Sequence, residues 1–187
     1  MFIMMISKTI KILNESKTIL YPTDTVWGIG CDATCEKAVE KIYLIKRRSE
    51  SKSLIILVDS WEMLLNYVNM IPEKVNCILT GSSKPTTVIY NNPQGLAKNV
   101  IANDNTVAIR IVNDGFAHEL IQQFGKPIVS TSANISGESN PKSFKEINPT
   151  LLDSVDYIVN LPLENKSGIA SQIVKVHNSG KIEFLRK

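Results

Sequence analysis

The sequence predicts one α/β domain built on a mixed, twisted sheet with flanking helices. Three observations lead there. Apolar runs of strand length at residues 18–21, 54–58, 87–90, 106–112 and 127–130 are interleaved with segments of helical period. Strand-like runs near 157–159, 172–176 and 182–185 then follow with no helix between them, so the sheet is not purely parallel. The length of 187 residues fits a single domain, enough to bury about 70% of the unfolded chain's surface, and no shift in composition marks a boundary.

Residues 1–6 are apolar but lack a basic leader and a long apolar stretch, so they read as a first strand or helix entry and not as a signal peptide. No apolar run approaches the ~18 residues needed to cross a bilayer, and the expected location is the cytoplasm. The first clear strand, 18–21, is stopped by Pro22. A turn-rich segment, 23–32, follows with Gly28 and Gly30. A helix fits 34–47, with Thr34 as N-cap, Glu36 in the positive first turn, and an apolar stripe of Ala38, Val39, Ile42, Tyr43 and Ile45. The continuous apolar run 54–58 reads as a buried central strand. Short helices are expected around 61–68 and 72–79. Asp114 caps a helix that ends at Phe124, with Gly125 just beyond it. Strand 127–130 runs into Thr131-Ser132-Ala133-Asn134. Ser143-Phe144-Lys145-Glu146 has the capping-box pattern of a short helix, and Asn178-Ser179-Gly180 makes the last turn.

The composition is ordinary for a globular protein, with 43% hydrophobic and 21% charged residues. A net charge of +3 suits an anionic ligand but falls short of the basic stripe that marks a nucleic-acid binder. Three cysteines, Cys31, Cys35 and Cys77, are an odd count in a chain with no secretory signal, which argues against a disulfide framework. No His or further Cys is placed to complete a zinc site with Cys31 and Cys35.

Four segments look unlike packing. Tyr21-Pro22-Thr23-Asp24-Thr25-Val26-Trp27-Gly28-Ile29-Gly30 concentrates hydroxyls, glycines and a carboxylate after a strand; it fits a ligand-approaching loop and an Asx-bonded turn equally. Lys46-Arg47-Arg48-Ser49 with Lys52 closes the helix of 34–47. It is either compensation of the helix dipole or a phosphate clamp. Ser130-Thr131-Ser132-Ala133-Asn134-Ile135-Ser136-Gly137 lies beyond a strand's carboxyl end, where α/β proteins gather ligands. Arg110 interrupts an apolar strand and needs either solvent or a partner. His118 and His177 neighbour no nucleophile, the G-x-S-x-G elbow and the Walker sequence are absent, and Gly28-Ile29-Gly30 lacks a third glycine.

Together these segments resemble the YrdC/TsaC family of threonylcarbamoyl-adenylate synthases. The family's Y-P-T-[DE]-T-x-[YW]-G-[LI]-G entry is matched by residues 21–30, its K-x-R by Lys46 and Arg48, and its S-x-N by Ser132 and Asn134, in order over about residues 8 to 187. The chain departs from the pattern at Ser49, at Ser53-Leu54, at Leu57 in place of a family His, and at Ser83-Lys84 in the P-G-P-x-T element that ends on Thr87. These departures bear on local threonine contacts more than on the overall activity. The resemblance implies a YrdC-like fold, shared with dihydroxybutanone-phosphate synthase, without the extra C-terminal domain of longer members.

The activity it implies is synthesis of threonylcarbamoyl-AMP from L-threonine, bicarbonate and ATP with Mg²⁺, for partner proteins that modify adenosine 37 of tRNA. Lys46, Arg48, Ser132 and Asn134 would line the reaction centre. Arg48 and Lys52 would neutralise phosphates. Thr25, Ser130 and Ser171 would contact threonine, and Arg110 would pair with its carboxylate. Thr106, Asn140 and Arg186, with Ser132, would sit near the nucleotide, and no dedicated protein metal cage is expected. A non-catalytic double-stranded RNA or tRNA-binding module with weak RNA affinity is the main alternative, and a carbamoyl-adenylate chemistry like that of hydrogenase maturation proteins is a second. Only 6% of residues are aromatic, which disfavours base stacking.

Overall fold

The structure is a computed structural model and describes residues 2–23, 25–48, 54–82, 84–161, 171–177 and 181–186. Lys52, Ser49, Ser53, Ser83, Asp24 and the turn at 178–180 lie outside the described residues. The described strands form one nine-stranded sheet in the order β7-β1-β2-β6-β3-β5-β4-β8-β9. Their ranges are β1 Ile19–Pro22, β2 Trp27–Asp32, β3 Ile55–Val58, β4 Thr86–Asn91, β5 Thr106–Ile111, β6 Ile128–Ser132, β7 Tyr157–Ile158, β8 Gln172–Val176 and β9 Ile182–Arg186. Pairs β1/β7, β3/β5 and β4/β8 are parallel and the other five pairs antiparallel, so the sheet is mixed, as the helix-free C-terminal strands predict.

Helices α1 (Phe2–Asn14), α2 (Glu36–Lys46), α3 (Trp61–Leu65), α4 (Glu73–Gly81), α5 (Gly115–Phe124) and α6 (Pro149–Ser154) cover the two faces. One core layer joins α2, α3, α4 and α6 to the side chains of Leu20, Ile29, Ile56, Val58, Val88, Ile109 and Val129. The other joins α1 and α5 to Ile19, Tyr21, Leu57 and Ile128. The alternation along each strand is the period-2 rule at work: Ile56 and Val58 go to one face, Leu57 to the other. No helix among the described residues is long and apolar enough to cross a membrane.

One open alternative is decided and three local expectations change. The apolar start is a full helix, α1, whose Ile6 and Leu13 are buried. The segment expected as turns holds a six-residue strand, β2, paired on both sides by β1 and β6. Its glycines disguise it, since glycine is depleted in strands. Gly30 is nevertheless required there. A Cβ at Gly30 would lie 2.6 Å from the Val129 carbonyl oxygen and 2.8 Å from the Tyr21 ring. Third, Cys35 and not Thr34 precedes α2, because Thr34 is drawn back into a turn by Asp32, whose Oδ1 accepts from its N–H at 2.8 Å and its hydroxyl at 2.6 Å. Finally, the capping-box segment makes only a 3-10 turn, Phe144–Glu146. Glu146 instead accepts from the Lys142 N–H at 2.9 Å, and Pro149 opens the separate helix α6 with Asn148 as its cap. Phe144 meets Trp27 edge-on at 5.2 Å, which holds the preceding loop against the start of β2.

Because the obstacle at Gly30 is backbone, Gly30→Ala is expected to destabilise the protein by about 1–3 kcal/mol. A lowered denaturant midpoint at unchanged slope would register this; an unchanged midpoint would show that β1, β2 and β6 are not so closely apposed.

Candidate functional site

A cavity of about 310 Å³ opens on the α1/α5 face of the sheet, beyond the part those helices cover. Strand register builds it. Ile55, Ala108, Ile89 and Ile173 make an apolar floor, and Gly28, Ser130 and Ser132 a polar wall. Thr25 and Val26 from the β1–β2 connection, Asn140 from the loop after β6, and Arg48, Arg110 and Arg186 also line the cavity. A Cβ on Gly28 would come within 3.1 Å of Thr23 Cγ2 and 3.2 Å of Ser130 Oγ, so this glycine keeps the wall open.

The β1–β2 connection is organised by Thr23. Its hydroxyl donates to the Val26 carbonyl at 2.8 Å and accepts from the N–H groups of Thr25 and Val26 at 3.1 Å each. It also lies 3.0 Å from Thr25 Oγ1, which fixes the side chain that faces the cavity.

Helix α2 ends at Lys46, and Arg47 follows in the left-handed region with φ 48°. That reversal leaves Arg47 exposed and turns Arg48 inward, so the cluster divides its labour residue by residue. Burial lowers the Arg48 pKa from its ordinary range. Lys46 is only 2% exposed. Its ammonium donates to Ser132 O at 2.6 Å, Asn134 O at 2.8 Å and Asn134 Oδ1 at 3.2 Å. Ser132 Oγ donates to Asn134 Oδ1 at 2.6 Å, and Asn134 Nδ2 to Glu138 O at 2.6 Å. The four K-x-R and S-x-N residues are therefore together, but in two layers. Arg48 and Ser132 line the cavity; Lys46 and Asn134 stand behind Ser132 and hold it.

Arg110 is 4% exposed and reaches the cavity from β5. Ser171 lies 2.8 Å from Thr87 Oγ1, and Arg186 donates to the Ser171 carbonyl through Nε at 2.9 Å and Nη2 at 2.6 Å. Thr106 stands apart. It is not among the lining residues, and its hydroxyl donates to Asp104 at 2.6 Å. Sequence reading missed Thr23 as an organiser and Thr87 as a partner of Ser171; the only signal for Thr87 was its place at the end of a family element. Both histidines lie elsewhere: His118 Nδ1 is 2.9 Å from Val112 O, and His177 bonds Glu183 at 2.8 Å.

A family model described as "Telomere recombination", covering the Sua5, YciO and YrdC proteins, matches residues 11–187. The chain belongs to this Sua5/YciO/YrdC family. It is 36% identical over 162 residues to the threonylcarbamoyl-AMP synthase of Pseudoalteromonas translucida, covering 84% of this chain and 86% of that one. It is 30% identical over 167 residues to the enzyme of the same name from Psychromonas ingrahamii, covering 87% of each. Among solved structures, P. abyssi Sua5 complexed with L-threonine superposes with a TM-score of 0.87 at 27% identity, covering 97% of this chain. The chain spans about half the length of that protein, 53%.

Lys46 gives this family member a pH signature. Burial, with the nearby Arg48 charge second, lowers its pKa from 10.5 to about 8. Between those values the folded protein binds fewer protons than the unfolded chain, so stability rises with pH through that window. Below about pH 8 the full penalty of the buried ammonium is present. Relative to Lys46→Met, the wild type is expected to gain up to ~3 kcal/mol between pH 8 and 10.5. Parallel stability curves for the two proteins would contradict this.

Proposed function

We propose that this chain is a threonylcarbamoyl-AMP synthase. One observation carries the reading: three arginines and a row of hydroxyls converge on one cavity, with the Lys46 ammonium behind its wall, in a chain whose relatives bear that name. Threonine's amine and bicarbonate combine to a carbamate with loss of water. A carbamate oxygen then attacks the α-phosphorus of ATP, the bond to the β-phosphate oxygen breaks, and pyrophosphate leaves.

The reaction asks for positioning and charge neutralisation more than for a strong base. Thr25, Ser130 and Ser171 hold threonine, and Arg110 pairs with its carboxylate through a planar fork suited to two oxygens. Arg48, with Lys52, neutralises phosphate charge, while Asn140 and Arg186 border the nucleotide. Lys46 and Asn134 fix Ser132, and the Lys46 ammonium adds positive potential where phosphate charge builds up. Mg²⁺ enters as the nucleotide complex, held by phosphate oxygens and water. The product passes to tRNA-modifying partner proteins in the cytoplasm.

Two measurements test this. Purified protein with ATP and bicarbonate is expected to release pyrophosphate only when threonine is added, serine being a poor substitute, and folded Lys46→Ala is expected to lose the activity. No threonine-dependent release from folded wild type would sink the enzyme reading in favour of RNA binding, for which salt-sensitive RNA affinity would then be the mark. Arg110→Gln is expected to raise the KM for threonine about 10–100-fold, the worth of a hydrogen bond to a charged group. A KM within twofold of wild type would remove Arg110 from carboxylate recognition.

A further inference from the structure

Thr87 sits on β4 directly opposite Arg110 on β5 and level with Ile173 on β8. Both of those neighbours line the cavity, whereas Thr87 is fully buried beneath it. Among the described residues its hydroxyl has one hydrogen-bond partner, Ser171 Oγ at 2.8 Å. Ser171 does line the cavity, and its Oγ also faces Arg186 Nη2 at 3.4 Å.

A hydroxyl has one proton and two lone pairs, and a buried proton without an acceptor is costly. If Ser171 donated to Thr87, the enclosed Thr87 proton would have no acceptor. If Thr87 donates, both hydroxyls are satisfied: Ser171 Oγ accepts from Thr87 and from Arg186, which fills its two lone pairs. Its own proton is then left for whatever occupies the cavity. We propose that Thr87 is a positioning residue that makes Ser171 a hydrogen-bond donor toward a bound oxyanion, on the same side of the cavity as Arg110. The inference rests on the functional reading above and names that oxyanion as the amino-acid carboxylate. Serine hydroxyls are usually indifferent between donating and accepting. Here the sheet removes the choice, and a carboxylate, which only accepts, is matched by a group that only donates.

The test uses the full chain and threonine-dependent pyrophosphate release. Thr87→Val keeps the shape and removes the proton. It is expected to raise the KM for threonine about tenfold with kcat within twofold. Thr87→Ala, which removes the hydroxyl and adds no methyl, should give the same shift, and Thr87→Ser should restore the wild-type KM. In a Ser171→Ala background, Thr87→Val should add nothing, because its effect passes through Ser171. An unchanged KM in Thr87→Val and Thr87→Ala, or effects that simply multiply in the double variant, would overturn the assignment while wild-type activity leaves the functional reading standing. A wild type without threonine-dependent release overturns that reading first, and this inference with it.

Discussion

The ammonium of Lys46 is the constraint around which the site is arranged. It closes α2, lies buried, and among the described residues is satisfied by three uncharged oxygens of Ser132 and Asn134. Burying a charge is unfavourable unless hydrogen bonds replace the lost water, and here every bond ties the end of α2 to the end of β6. The Ser136 N–H donates back to the Lys46 carbonyl at 3.0 Å, so helix end and loop are joined from both sides. The geometry of Ser132 and Asn134 is thus a consequence of satisfying one cation. Arg48 is delivered by the same helix end, through the reversed backbone at Arg47.

One face of the sheet does two jobs. Under α1 and α5 it presents Tyr21, Leu57 and Ile128 to the core. Further along, it presents Ile55 and Ser130 of the same strands, with Gly28 of β2 and Arg110 of β5, to the cavity. The cavity therefore has a rigid floor of paired strands, and its hydroxyls are held mainly by one another: Thr23 holds Thr25, Asn134 holds Ser132, Thr87 holds Ser171. Such a site is ordered before any ligand arrives, which reduces the entropy that binding must overcome. Leu57, where the family often carries His, lies wholly in the α5 layer. A polar ring there would have to be accommodated within that apolar packing.

Much of this was legible in the sequence, and the rest was hidden for physical reasons. The helical stripe of α2 and the apolar run of β3 were readable because burial imposes periodicity. The reversal from α5 into β6 was readable because Gly125 suits the left-handed cap it adopts, at φ 71°. β2 was not readable: Gly28 and Gly30 are chosen for space, at the cavity and against Val129, and so erase the strand signal their segment would otherwise give. Lys46, Arg48, Ser132 and Asn134 could be named from the resemblance to the family's motifs, but their division into a cavity layer and a supporting layer depends on the fold, for Lys46 and Arg48 on the backbone reversal at Arg47 between them. Thr106 and Thr87 show the converse. They occupy adjacent strands and the same face. A different partner decides each: Asp104, two residues away, turns Thr106 to a local bond, whereas Ser171, which only the fold brings near, engages Thr87.

The distribution of charge bears on the chemistry. His118 and His177 are engaged by Val112 and Glu183, away from the cavity. Among the described residues, the polar side chains lining the cavity are guanidinium, hydroxyl and the Asn140 amide, with the Lys46 ammonium behind them. Such a set holds little capacity to take a proton at neutral pH but much to stabilise negative charge, and the guanidiniums do so without changing protonation. That matches a reaction whose nucleophile arrives already anionic and whose leaving group carries away negative charge. An acid–base enzyme built on this sheet would need a titratable group in the lining with a pKa near neutrality. Among the described residues the group whose pKa is moved toward that range is Lys46, and it stands one hydrogen bond behind the wall, where it shapes the field and the position of Ser132.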